Sequence, residues 1–193
     1  MQKIKIDMPF RPVYPSPAGL IVVVDEQSKP NVMTAGEIFN ISLKNPCILG
    51  IALRKATYTH SLIVKTGEFT VNLPTSAILE KVDLVGTISG RDGLDKFAEY
   101  GLTTMPSTAI KPPIIAECPV NLECKMLNVT EIGDHDLFLG QVVVMHADSD
   151  KVGENQRILI EKMDAFAFAE WGYCKLGEKI VDFGFSRGKQ KTR

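Results

Sequence analysis

The sequence predicts a mainly β fold, a small antiparallel barrel with short helical insertions. Three observations lead there: short β-branched or alternating apolar runs recur along the chain, a long hairpin stands in its second half, and no β-α-β unit repeats. The chain has 193 residues, of which 45% are hydrophobic, and a formal net charge of -1. Such a length and apolar content suit one domain over residues 1–193 with a substantial core. Near-neutral charge without a basic block argues against nucleic acid as a main partner, and the basic tail Arg187 to Arg193 reads as a solvated terminus. No apolar run approaches bilayer-spanning length, and Met1 to Phe10 lacks the apolar core and cleavage site of a secretory signal. A cytoplasmic protein without a membrane partner is therefore expected.

The elements follow in order. Pro9, Pro12, Pro15 and Pro17 make the arm up to about residue 19 extended, a strap laid over the body or a partner. Leu20 to Val24 is a β-branched run suited to a buried strand, closed by a turn over Asp25 to Asn31, and Met33 to Ala35 pairs back. Ile38, Ile41 and Leu43 read as a short helix or an irregular crossing, ended by Asn45-Pro46. Cys47 to Leu53 is the next strand. Tyr58 to Lys65 repeats its apolar residues at helical spacing, with Thr57 as N-cap and Gly67 as terminator. Glu68 to Leu73 is a strand stopped by Pro74, and Ala77 to Leu84 is a helix capped by Ser76 or Thr75. The glycine-rich loop Gly86 to Phe97 runs into a brief helical turn, capped by Asp95 and ending at Gly101.

Val120 to Val129 and Leu137 to His146 alternate as two long strands, joined by Gly133-Asp134-His135-Asp136 as a hairpin. Ile158 to Ile160 is expected as a last barrel strand. The segment from about residue 164 is aromatic-rich and needs a surface to lie against. Of the four cysteines, Cys47 and Cys124 read as small core residues; scattered spacing points to neither a metal site nor a disulfide framework.

The stretch with chemical content is the corner after Cys47 to Leu53. It delivers Arg54 and Lys55 to the start of a Thr-capped helix, where unpaired N–H groups, the dipole and the hydroxyls of Thr57 and Thr59 suit a phosphate. An arginine there adds bidentate geometry. Taken alone, the same residues also describe an ordinary surface corner, and both readings stand at this point.

The motifs taken together resemble the flavin reductase-like family with the FMN-binding split barrel, closest to its flavoredoxin branch. The likeness is carried by N-V-M-T at Asn31 to Thr34, L-R-K-A-T-Y-T-H at Leu53 to His60, and G-E-F-T-V-N-L-P at Gly67 to Pro74. It continues through S-G-R-D-G-L-D-K-F at Ser89 to Phe97, E-C-P-V-N-L-E-C-K at Glu117 to Lys125, G-D-H-D-L-F-L-G at Gly133 to Gly140 and Y-C-K-L-G-E at Tyr173 to Glu178. The resemblance implies a six-stranded antiparallel split β-barrel of Greek-key type, usually a homodimer, holding FMN noncovalently near the subunit interface. It implies that Asn31, Met33, Thr34 and Ala35 run along the flavin ring. It places the phosphate on Arg54, Thr57 and also Lys55 and Thr59, with Lys96, Ser89 and Gly90 beside them. His135 would face the flavin as the catalytic candidate, whereas without the family it reads as an exposed, charge-paired histidine. His60 and His146 read as structural. One departure is plain: flavoredoxin-like sequences often carry Trp shortly after Met-Thr, where this chain has Gly36-Glu37-Ile38, leaving Trp171 or Phe168 to supply a wall.

The function implied is an FMN-dependent oxidoreductase passing hydride or electrons from NADH, NADPH or a protein donor to a flavin, ferric iron or a redox partner. The alternative is a flavoredoxin-like electron carrier without NAD(P)H turnover. No dinucleotide-binding G-x-G-x-x-G follows a strand, so a nicotinamide would bind only transiently.

Overall fold

The structure is a computed structural model that describes residues 1–8 and 10–187. Pro9 of the arm and residues 188–193 of the basic tail lie outside the described residues. The strands are β1 (Ser16–Pro17), β2 (Gly19–Val24), β3 (Pro30–Ala35), β4 (Ile38–Leu43), β5 (Cys47–Arg54) and β6 (Glu68–Leu73). They continue with β7 (Thr104–Met105), β8 (Ile114–Ile115), β9 (Val120–Ile132), β10 (His135–Ala147), β11 (Phe166–Ala169) and β12 (Gly172–Lys175). Among the described residues, three α-helices are inserted: α1 (Tyr58–Thr66), α2 (Leu79–Thr87) and α3 (Lys96–Tyr100).

The main sheet is antiparallel throughout, with the order β3-β2-β6-β9-β10-β5-β4. Next to the edge strand β3 lies β2, buried at every position because it separates two cores. Side chains alternate across a strand, so Ile21 and Val23 point into the barrel with Ile51, Phe69 and Phe138, while Leu20 and Val22 meet Val82, Val85 and Phe97 from α2 and α3. A continuous β-branched run is what burial on both faces requires.

The mainly β, antiparallel fold class stands as expected, with one strand more in the sheet than the six expected. The additional strand is β4, at the edge beside β5, where a helix or crossing was expected. A bulge between Asn40 and Ser42 breaks the two-residue alternation, so Ile38 and Ile41 fall three apart, a spacing that imitates a helix.

Ile158 to Ile160 is also corrected. Ile158 makes only an isolated bridge to Val152, and Ile160 opens a 3-10 turn, because Glu154–Gln156 folds this segment back on itself. Cys47 is exposed on its edge-side strand, whereas Cys124 is buried as expected. The helix after Pro74 begins as a 3-10 turn, and Thr75 and Ser76 make no cap bond; Ser76 Oγ instead donates to Asp164.

The hairpin is longer than its sequence pattern. Its connection is only Gly133-Asp134, with Gly133 at φ 55, the left-handed conformation that two-residue hairpin turns require. His135 and Asp136 therefore belong to β10, and His135 stands opposite Arg54 of β5 in the register. At the other end, β1 pairs with β11, and β11 with β12, so the N-terminal arm and the aromatic C-terminal segment meet each other. Among the described residues, no helix is long and apolar enough to cross a membrane.

Candidate functional site

Arg54 ends β5 and the chain turns at once into α1. Thr57 is extended, with φ -75 and ψ 145, and its Oγ1 accepts from His60 N at 3.3 Å while donating to Arg54 O at 2.9 Å. Gly67, at φ 70, terminates the helix and returns its N–H to Ile63 O. The amides of Tyr58 and Thr59 then have no acceptor within the helix. Arg54 is exposed, and among the described residues its guanidinium makes no hydrogen bond and no salt bridge. A free cation thus sits beside unpaired donors at a helix start, an arrangement suited to an anion.

A cavity of about 740 Å³ opens from this corner. Arg54 and Thr57 line one part, Met33, Thr34 and Ala35 of β3 another, and His135 lies beside Arg54 as its pairing partner on the adjacent strand. Because β3 is an edge strand, only one side of its backbone is engaged in the sheet, which leaves N–H and C=O groups for a planar ligand. The Thr34 hydroxyl is not among those free groups, since it donates to Val82 O in α2. His135 Nδ1 lies 2.9 Å from Asp134 Oδ1. That hydrogen bond, with a smaller contribution from the charge of Arg54, holds the Asp134 carboxyl below the usual carboxylate range. With Nδ1–H donating to the carboxylate, Nε2 is left as the nitrogen available for a ligand.

Of the residues singled out in the sequence, Met33, Thr34, Ala35, Arg54, Thr57, His135 and Trp171 line the cavity. The others lie elsewhere. Lys55 turns outward to Glu131 at 2.8 Å and Asp136 at 3.4 Å. Asn31 and Thr59 are buried and bonded to each other, Nδ2 donating to Oγ1 at 2.9 Å, and Gly90 is buried against the Asn31 amide. Ser89 is exposed and accepts from Arg91 N at 3.2 Å.

Lys96 runs inward, because α3 packs its first turn on β3 and α2. Its Nζ donates to Val32 O at 2.9 Å and Val85 O at 2.8 Å, and burial lowers its pKa to about 8. These residues make a polar layer behind β3 that fixes the strand instead of lining the cavity. The glycine-rich loop is tied to the corner in turn, with Arg91 Nη2 donating to Ala56 O at 3.1 Å. His60 and His146 are each held by a carboxylate away from the cavity, Asp136 at 2.9 Å and Glu123 at 2.7 Å respectively.

Sequence reasoning missed most of the cavity mouth. Phe10 stacks on Trp171, with centroids 5.2 Å apart and planes at 14°. Arg11 pairs with Glu37 and lies 4.5 Å over the Phe168 ring, and Tyr173 donates to Asp83 at 3.1 Å. Only the β1–β11 pairing brings residues 10 and 11 to residues 168–171, and no spacing along the chain encodes it.

Comparison with known proteins matches the flavin reductase like domain to residues 11–176. The fold superposes on the flavoredoxin of Desulfovibrio vulgaris (Miyazaki F) with a TM-score of 0.86 and 30% identity, covering 97% of this chain and 100% of that one. An uncharacterized protein of Archaeoglobus fulgidus is 41% identical over 142 residues, 73% of this chain and 79% of its own. The NADH:riboflavin 5'-phosphate oxidoreductase of Streptomyces pristinaespiralis is 30% identical over 129 residues, 66% and 69% of the two chains. With a match that spans most of its length and a split barrel built around the corner described above, the chain belongs to the flavin reductase-like family.

Proposed function

We propose that this chain binds FMN noncovalently in the cavity and works as an oxidoreductase, passing hydride or electrons from NAD(P)H or a protein donor to a second flavin, ferric iron or a redox partner. One observation carries the reading: a single cavity joins an unpaired guanidinium at a helix start to the free edge of an apolar strand and to a histidine. The volume, about 740 Å³, lies in the range of small-molecule and cofactor sites. The residues present fit the group. Arg54 and the Thr57 corner would hold the phosphate, and Met33, Thr34 and Ala35 would hold the ring, largely through the backbone of β3.

FMN, when bound, supplies the redox chemistry. The chain's own residues orient it and control access. Arg54 would hold the phosphate end. His135, its tautomer set by Asp134, offers Nε2 to hold or move a proton beside the ring. The aromatic residues at the mouth present flat faces to an incoming reactant. A homodimer belongs to this reading, and the exposed Phe39, Ile41 and Leu43 on the edge strand β4 offer an apolar surface for it.

The test is anaerobic addition of NADH and of NADPH to the FMN-loaded protein. Rapid loss of the oxidised flavin absorbance is expected. The likeness to flavoredoxin favours a second reading, an electron carrier without nicotinamide turnover. Bleaching by dithionite but by neither nucleotide would select that carrier.

A further inference from the structure

We propose that the cavity mouth favours an uncharged planar ring over a phosphate, so that a nicotinamide donor would enter ring first with its phosphates left outside, and that Glu37 sets this choice by masking Arg11, a selectivity that rests on the flavin-site reading above. Among the described residues, two arginines and no lysine line the cavity. Arg54 stands at the helix start and is the phosphate partner of the resident flavin. Arg11 comes from the N-terminal arm and is the cation nearest an incoming molecule.

Arg11 is not free. Its Nη2 pairs with Glu37, its guanidinium lies 4.5 Å over Phe168, and the two charged side chains are only 25% and 39% exposed. The place is built for it. A Cβ on residue 36 would stand 2.9 Å from Arg11 Nη2, so a side chain there would oblige the guanidinium to shift. Glycine at 36 and glutamate at 37 thus make a berth for an arginine from a distant part of the chain. A phosphate reaching the mouth would have to break a partly desolvated, stacked ion pair before gaining a contact.

Among the described residues, the other charge at the mouth is Asp83, which accepts from Tyr173; Asp134 lies at the corner with His135 and Arg54. With Arg54 given to the resident flavin and Arg11 neutralised by Glu37, the mouth offers a carboxylate and ring faces. An uncharged ring meets Phe10, Phe168 and Trp171 without opposition. A phosphate meets repulsion: about threefold in affinity for two unit charges some 6 Å apart in a water-like medium, so about tenfold for a dianion at low ionic strength.

Trp171 is the sole tryptophan of the chain and stacks on Phe10 at the mouth, so its fluorescence reports occupancy there. FMN-loaded protein is titrated in low-salt buffer with 4-nitrobenzyl alcohol and with 4-nitrobenzyl phosphate, following Trp171 quenching. The alcohol is expected to bind about tenfold tighter, with the gap closing as salt is added. Glu37→Gln is expected to unmask Arg11, tightening the phosphate severalfold while leaving the alcohol unchanged. Arg11→Gln, a second variant that does not depend on the first folding, is expected to widen the gap through the phosphate alone.

Equal binding of both probes to the native protein at low salt, no quenching by either, or a Glu37→Gln effect equal on both would overturn the selectivity. FMN uptake is measured first, from its visible absorbance. A chain that takes up no FMN ends the proposed function and this selectivity together, whereas a loaded chain with the wrong preference ends only the selectivity.

Discussion

Replacing Arg54 by alanine removes a guanidinium that makes no hydrogen bond or salt bridge among the described residues. The fold loses only a weak attraction to the exposed Asp134, so stability should change little. The loss falls on the phosphate contact. A hydrogen bond to a charged group is worth about 1.5–3 kcal/mol, and because Arg54 is exposed and water competes there, the lower part of that range applies. About 1.5–2 kcal/mol corresponds to FMN binding weaker by about ten- to thirtyfold. Riboflavin, which has the same ring and no phosphate, should bind the variant almost as it binds the native protein. Titrations of both flavins, followed by quenching of flavin fluorescence, measure the ratio directly. Lys96→Met is the control: its ammonium is committed to Val32 O and Val85 O, so its loss should affect both flavins alike through the position of β3. Equal weakening of FMN and riboflavin by Arg54→Ala, or selective weakening of FMN by Lys96→Met, would show that the phosphate sits elsewhere.

Three further outcomes are expected. Glu123 is fully buried; burial pushes its pKa up, but hydrogen bonds from His146, Thr108 and Ala109 outweigh this and hold it down at about 2, against 4.5 for a free side chain. A carboxyl lowered on folding stabilises the native state above its unfolded pKa. This contribution, on the order of 3 kcal/mol, should therefore be lost as pH falls from about 4.5 to about 2, and Glu123→Gln should lack that part of the pH dependence in urea unfolding. Gly140→Ala would place a Cβ 2.5 Å from Cζ of the fully buried Phe69, an overpacking expected to cost about 1–3 kcal/mol in thermal or denaturant unfolding. His135→Ala should shift the midpoint potential of bound FMN or slow its reduction; with neither changed, His135 would be structural only.

The corner was legible because its signals are local. Thr57, the apolar spacing of Tyr58 to Lys65 and Gly67 lie within eleven residues, and the cap bonds form as their chemistry dictates. The hairpin was legible for the same reason, although strand alternation did not show that pairing would run through His135. Strand β4 was hidden because one bulge turned a period of two into an apparent period of three.

The direction of charged side chains was the least legible feature. Lys55 and Lys96 flank the corner or its loop in sequence, but one answers Glu131 and Asp136 across the hairpin and the other two buried carbonyls beneath α3. Such partners are set by packing between elements far apart in the chain. The mouth is the extreme case, since Phe10 and Arg11 reach Trp171 and Phe168 only through the β1–β11 pairing.

The most direct measurement is a titration of the purified chain, freed of any flavin, with FMN, followed by visible absorbance and flavin fluorescence. Saturable uptake of one FMN per chain, with a shifted spectrum and with riboflavin bound more weakly, is the predicted result. A chain that leaves the absorbance and fluorescence of added FMN unchanged would contradict a flavin seat between Arg54, the free edge of β3 and His135.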